Sequence, residues 1–246
     1  MMKRFIFSIF LLPLLLASPQ TKAQGIMLTP KWTAQAQFTG YYVADKLGFY
    51  KEEGIDVCVQ HPAISESSFS FMEKGRAPVV IMNLSYAFME RLAGARVVNV
   101  MQTSQENSLM LISHSPLKGE ESLRNQKIAV WNHLSQKLLD RLAEHYALKQ
   151  VEWIRFNSGV NVFLSGAADP CLVGSYNEYL QLSEYGMNVD SIYSIRLADY
   201  GYNLPEDGLY VTEEFYNQYP EVVRKLVKAS MRGWAWTNEH LSLIHI

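Results

Sequence analysis

From residue 26 onward, short apolar and β-branched runs alternate with segments whose apolar residues recur every three or four positions. This alternation limits the possible folds more than any other feature of the chain. Residues 25–32, 55–59, 78–82 and 97–101 read as strands. Between them, Thr39 is placed to cap a helix carrying Tyr42, Val43, Lys46 and Leu47, which Gly48 ends. Ser65 opens a helix with Phe69 and Met72 on one face, and Asn83 or Ser85 caps another with Leu84, Phe88 and Leu92. Parallel strands need crossover connections, so this β-α-β-α-β-α-β order predicts a mainly parallel sheet covered by helices. Residues 113–119 are polar and read as a crossover to a second series. There, strands are expected at 127–131, 151–156 and 169–173, with Asn132 capping a helix that carries Leu134, Leu138, Leu139, Leu142 and Tyr146. Helices follow at 160–164 and around Tyr179, Leu182 and Tyr185. The last strand (209–211), the Thr212 cap and the helix from Pro220 through Val223, Leu226, Val227 and Trp234 have no partner in the second series, so they return to the first. The expected α/β architecture is two βα lobes, 24–113 with 205–246 and 114–204, with a ligand cleft at the strand ends. Residues 238–246 stop in mid-pattern, as in a truncated or frame-shifted chain.

The first 23 residues read as a secretory signal: Lys3 and Arg4, then an apolar run from Phe5 to Ala17, then small and polar residues ending at Ala23. The run is short of the roughly 20 residues a membrane-spanning helix needs. A membrane anchor is the alternative. Removal of residues 1–23 takes away Lys3, Arg4 and Lys22, leaving 19 basic against 24 acidic residues and a net charge of −5.

That negative balance argues against binding through nucleic-acid phosphates. A hydrophobic content of 48% argues against disorder. Two cysteines, Cys58 and Cys171, are too few for a disulfide scaffold or a structural zinc site. The nucleotide, zinc-hydrolase and serine-hydrolase motifs are absent. Cys58 and His61 read as a buried strand cysteine followed by a surface histidine, and no metal or cofactor is expected.

Polar and aromatic residues remain, recurring just past the expected strands. Trp32 with Gln35 and Gln37 follows the first; Asn83, Ser85 and Tyr86 the third; Ser104, Gln105, Glu106 and Asn107 the fourth. In the second series the equivalent positions hold Trp131 and Asn132, then Asn157, Ser158, Gly159 and Asn161, then Ser175, Tyr176, Asn177 and Glu178. Amides both donate and accept hydrogen bonds, and aromatic faces stack on flat rings. Helix capping and core packing account for any one of these residues. The whole recurrent set points to a small heteroaromatic ligand. Lys and Arg are scarce at these turns, which disfavours a multiply charged anion.

Residues 31–44 (KWTAQAQFTGYYVA) and 48–57 (GFYKEEGIDV) resemble the opening of ABC-importer substrate-binding proteins in the thiamine-pyrimidine-synthase-like group, which includes sulfonate, taurine and pyrimidine binders. The Ala93-Gly94 turn, Asn157–Val162, Gly166–Asp169 and the stretch from Thr212 to Val223 fit the same pattern in order. The resemblance implies a type 2 periplasmic binding fold, here C-terminally truncated, that hands a small ligand to ABC permease and ATPase subunits as a periplasmic monomer. It implies a ligand such as a thiamine-precursor pyrimidine, stacked on Trp32 or Tyr86 in the open state. Closure would then bring in Asn157, Asn161 and Tyr176, with Glu106 and Glu178 accepting from an aminopyrimidine. The group also holds an enzyme branch that converts pyridoxal phosphate and one of its own histidines into the thiamine pyrimidine. That branch's lysine and histidine would fall near Met82 and Tyr86, which have neither chemistry, and its cysteine-rich segment near 201–207, which has no cysteine. A ligand-sensing ectodomain and an inert fragment are the other readings.

Overall fold

The computed structural model describes residues 25–63, 66–117, 126–131, 140, 143–144, 151–157 and 159–241. The expected signal segment, Asn132 and most of the helix expected after it lie outside these residues. Two five-stranded sheets carry the fold. The first contains β1 (Ile26–Thr29), β2 (Val57–Val59), β3 (Val79–Asn83), β4 (Val97–Gln102) and β10 (Asp207–Thr212), in the order β2-β1-β3-β10-β4. The second contains β5 (Leu109–Ser113), β6 (Lys127–Trp131), β7 (Glu152–Phe156), β8 (Cys171–Gly174) and β9 (Tyr193–Arg196), in the order β7-β6-β8-β5-β9. Strands β1, β2 and β3 are parallel, as are β6, β7 and β8; β10 and β5 run antiparallel to their neighbours.

Two strands were not legible in the sequence pattern. Leu109–Ser113 pairs with β8 and β9, so the chain crosses between sheets at 103–108, and the boundary expected at 113/114 falls after a strand of the second sheet. The polar stretch beginning at His114 follows that strand rather than separating the sheets. The other missed strand, β9, is mostly exposed, so its residues give no apolar run.

One face of the first sheet packs on α1 (Thr39–Lys46), which the short α2 (Phe49–Glu52) follows, and on the long helix Pro220–Glu239, which buries Val223, Leu226, Ala229, Ser230, Gly233 and Thr237. Their spacing is a helical stripe, as the sequence suggested. The two helices cross closely: a Cβ at Gly233 would stand 1.9 Å from the Gly40 carbonyl oxygen, so only glycine fits. The buried Tyr50 hydroxyl meets Ser230 Oγ at 2.9 Å. The opposite face is covered by α3 (Ser68–Glu73) and α4 (Leu84–Leu92) around Phe71, Val80, Met82 and Ala87.

Three local readings are corrected. Thr39 lies inside its helix and its hydroxyl donates to the Ala36 carbonyl, because a short 3-10 turn (Ala36–Phe38) already leads into the helix. Ser67, not Ser65, caps α3 by accepting from Ser70 N–H. Cys58 is exposed because alternate side chains of β2 point outward, and His61, two residues past the strand's end, is half-buried. Thr212 does cap the helix Glu213–Gln218, accepting from Phe215 N–H at 3.1 Å.

Candidate functional site

The C-terminal ends of β1, β3, β6 and β8 and the starts of β10 and β5 form one edge of each sheet. Asp207 is paired with Asn83 across β10 and β3, and Leu109 with Gly174 across β5 and β8. The connections 103–108 and 197–206 carry the chain between these edges and are tied to each other. Asn107 N–H donates to Asn203 Oδ1 (3.0 Å), and the Asn107 amide to the Tyr202 carbonyl. Thr103 Oγ1 donates to the Asp207 carbonyl (2.7 Å).

On the first sheet the edge is organised by Lys31, just past β1. Its ammonium stands 2.6 Å from Asp207 Oδ1, donates to Asn83 Oδ1 at 2.7 Å and lies 4.0 Å from the centroid of the Trp32 ring. Only 8% of the Lys31 side chain and 6% of the Asp207 side chain are exposed. Asn83 occupies the N-cap position of α4 but makes no capping bond there; its oxygen serves Lys31 instead. Trp32 donates its indole N–H to Gln35 (3.0 Å), and its carbonyl is held by the His61 ring, whose Nε2 lies 2.8 Å from the Tyr42 hydroxyl.

On the second sheet, Glu178 opens the helix Glu178–Glu184 and is buried. It accepts from Trp131 Nε1 (3.3 Å) and from Gly174 N–H (3.1 Å). A Cβ at Gly174 would stand 3.2 Å from this carboxylate, so glycine lets it approach the main chain. Ser175 N–H donates to the Ser108 carbonyl (2.9 Å), and Ser108 Oγ donates to Glu206 Oε2 (2.9 Å). The Tyr176 hydroxyl sits against Ser108 in the field of Glu206, Asp207 and Glu178, and burial pushes its pKa up. Burial also holds the Glu206 carboxyl above its usual range, against the opposing pull of Lys31.

A polar chain therefore runs from Lys31 and Asp207 through Glu206 and Ser108 to Tyr176, Glu178 and Trp131. Of the residues singled out in the sequence, Trp32, Asn83, Trp131, Ser175, Tyr176 and Glu178 belong to it. Asn157 is exposed past β7, Gly159 takes the left-handed conformation (φ 76), and Asn161 is exposed at the start of the helix Asn161–Leu164. These three share the strand-end edge without joining the chain through the bonds described. Tyr86, Gln105 and Glu106 are engaged elsewhere. Tyr86 packs edge-on against Phe69, with ring centroids 6.2 Å apart. Gln105 is bonded to the Gln102 carbonyl, and the exposed Glu106 pairs with Arg196 at 3.1 Å. Both amide atoms of Gln37 are buried and make no hydrogen bond.

Sequence reasoning missed Lys31, Ser108, Glu206 and Asp207. The available signal was Asp207 itself, a charge directly before an apolar strand that returns antiparallel to the first sheet. Its start must then lie at the same edge as the ends of β1 and β3. Among the described residues, no group of three or more His, Cys, Asp or Glu side chains is placed to hold a metal ion.

Residues 35–241 match the family described as NMT1/THI5 like. The chain is similar to the riboflavin-binding protein RibY of Chloroflexus aurantiacus (29% identical over 230 residues, 89% of this chain and 64% of that protein). It is similar to the formylaminopyrimidine-binding protein of Halalkalibacterium halodurans (24% identical, 97% of this chain and 76% of that protein). It is also similar to the 4-amino-5-hydroxymethyl-2-methylpyrimidine phosphate synthase THI13 of Saccharomyces cerevisiae (22% identical, 80% of this chain and 62% of that protein). The chain thus spans under two-thirds of the length of the first and third of these relatives. Among solved structures, the periplasmic aliphatic sulphonate binding protein SsuA of Escherichia coli superposes with a TM-score of 0.69 at 13% identity, over 89% of this chain and 75% of that one. The two-sheet architecture is that of the periplasmic binding proteins, and with a family match across most of its length, the chain belongs to the NMT1/THI5-like family.

Proposed function

We propose that the protein is the solute-binding component of an ABC importer, capturing a small planar nitrogen heterocycle between its two sheets and releasing it unchanged. The observation that carries this reading is the convergence, on the facing edges of both sheets, of aromatic surfaces (Trp32, Trp131, Tyr176) with carboxylates (Glu178, Glu206). Aromatic faces stack on a flat ring, and carboxylates accept from its amino or ring N–H groups. Relatives named for riboflavin and for formylaminopyrimidine support a heterocyclic ligand. Closure of the two halves would give the ligand contacts that the open state lacks, and that difference in affinity drives the change of state. The basic and then apolar first 23 residues support export to the periplasm, where permease and ATPase subunits would be the partners of a monomer.

The synthase relatives raise a catalytic reading, which the local chemistry disfavours. Met82, at the position expected for that branch's lysine, is a thioether only 1% exposed in the core and cannot form a Schiff base. Tyr86 has no imidazole to donate.

Isothermal titration with 4-amino-5-hydroxymethyl-2-methylpyrimidine and with riboflavin tests the proposal, in wild type and in Trp32→Ala. One of the two should bind, and the variant should bind it about tenfold to a hundredfold more weakly, the range of about 1–3 kcal/mol found for stacking of a base on an aromatic side chain. Binding of neither, or an unchanged affinity in the variant, would overturn it, as would pyridoxal phosphate retained and consumed by the purified protein.

A further inference from the structure

We propose that Asp207 is a specificity-determining residue that makes the cleft reject anionic analogues of its ligand. This inference rests on the assignment of the strand-end edges as the ligand cleft.

A cation at a binding edge ordinarily invites a phosphate or sulfonate. Lys31 is such a cation, placed just past the first strand, yet its ammonium is already surrounded. The Asp207 carboxylate lies at 2.6 Å, the Asn83 oxygen at 2.7 Å and the Trp32 ring centroid at 4.0 Å. An incoming anion would have to break an ion pair whose two side chains are 8% and 6% exposed, leaving the Asp207 carboxylate buried beside it. The neighbouring ionisable groups deepen the bias. Glu206 is bonded to Ser108, and Glu178 to Trp131 and Gly174. Two other described cations are bonded at this edge: Arg155 donates to the Trp131 carbonyl at 3.4 Å, and Arg196 is paired with Glu106 at 3.1 Å. Lys31 thus positions the Trp32 ring and Asn83 while contributing no net positive charge, and the carboxylates beyond it favour donors and cations over anions. The class of ligand selected is an uncharged or protonated aminoheterocycle, with its phosphorylated form excluded.

The experiment compares wild type, Asp207→Asn and Asp207→Ser. Titration with 4-amino-5-hydroxymethyl-2-methylpyrimidine and with its phosphate should give at least a tenfold preference for the free pyrimidine in wild type, reduced at least tenfold in the variants. In parallel, millimolar inorganic phosphate should raise the melting temperature of the variants, whose Lys31 has lost its carboxylate, and leave that of wild type unchanged. The ringless anion separates the two ideas. If no protein binds the heterocycle, the ligand reading falls, while the phosphate response still judges Asp207. Wild type that binds the phosphate as tightly as the free pyrimidine, or that inorganic phosphate stabilises as much as it does the variants, overturns the proposal. So do folded variants that respond to neither anion. If neither variant folds, the wild-type comparisons decide alone.

Discussion

Replacing Lys31 by methionine should be among the most damaging single changes at the sheet edges, and the size of the effect follows from burial. Methionine nearly matches lysine in length, so packing against Trp32 survives while the charge is lost. The ammonium and its partner carboxylate stand 2.6 Å apart, both over nine-tenths buried. Removing one member of such a pair leaves an uncompensated charge and costs about 3–5 kcal/mol. The loss of the bond to Asn83 and of the cation over the Trp32 face adds to this. Against a total stability of about 5–15 kcal/mol for a typical domain, that is a large fraction. The double variant Lys31→Met/Asp207→Leu removes both charges and should regain at least about 2 kcal/mol, since apolar replacement of a whole buried pair is often neutral or better. Urea unfolding at neutral pH, followed by tryptophan fluorescence, closes the double-mutant cycle. A cost for Lys31→Met below about 1 kcal/mol, or additive effects in the double variant, would refute the reasoning; the pair would then be too well solvated to matter.

Three further outcomes are expected. Glu206, whose carboxyl is held above its usual range by burial, binds its proton more tightly folded than unfolded, so the stability it contributes at acid pH is lost as the pH climbs through its folded value. Glu206→Gln keeps an acceptor for Ser108; it should match wild type in urea unfolding at acid pH and exceed it near neutrality, and an opposite trend would contradict the assignment. Cys171 is fully buried with its thiol pushed up to about 12, whereas Cys58 is exposed, so a thiol reagent should modify one cysteine in the native protein and both in urea. Rapid modification of both without denaturant would show that the second sheet opens easily. Gly233→Ala places a methyl 1.9 Å from the Gly40 carbonyl oxygen and forces the crossing helices apart. A destabilisation of about 1–3 kcal/mol is expected, despite alanine's better helix propensity, and denaturant titration measures it.

The parallel halves of both sheets were legible because buried parallel strands are continuous apolar runs, such as Val79–Asn83 and Lys127–Trp131, separated by helices with one apolar face. Strand β9 was not, because its residues are mostly exposed and, among the described residues, it lies at the edge of its sheet. Strand β5 is apolar, but the polar residues that follow it look like a crossover and hide its place in the second sheet. The aromatic and amide half of the candidate site could be read from positions next to strands. Its charged half could not. Lys31 and Asp207 are 176 positions apart, and the pair exists only because β10 returns between β3 and β4. Glu106 and Glu178 looked equivalent in sequence, but Glu106 is drawn outward by Arg196 while Glu178 turns in to Trp131.

A planar heterocycle held between the two sheets and left chemically intact should travel with the protein through purification. Protein purified natively from its host can be denatured and its released small molecules weighed by mass spectrometry, with the Trp32→Ala variant as the control. One unmodified nitrogen heterocycle, near one equivalent per wild-type chain and depleted in the variant, is the result expected. A sulfonate, an amino acid or a product formed on the protein, carried equally by both, would contradict the account.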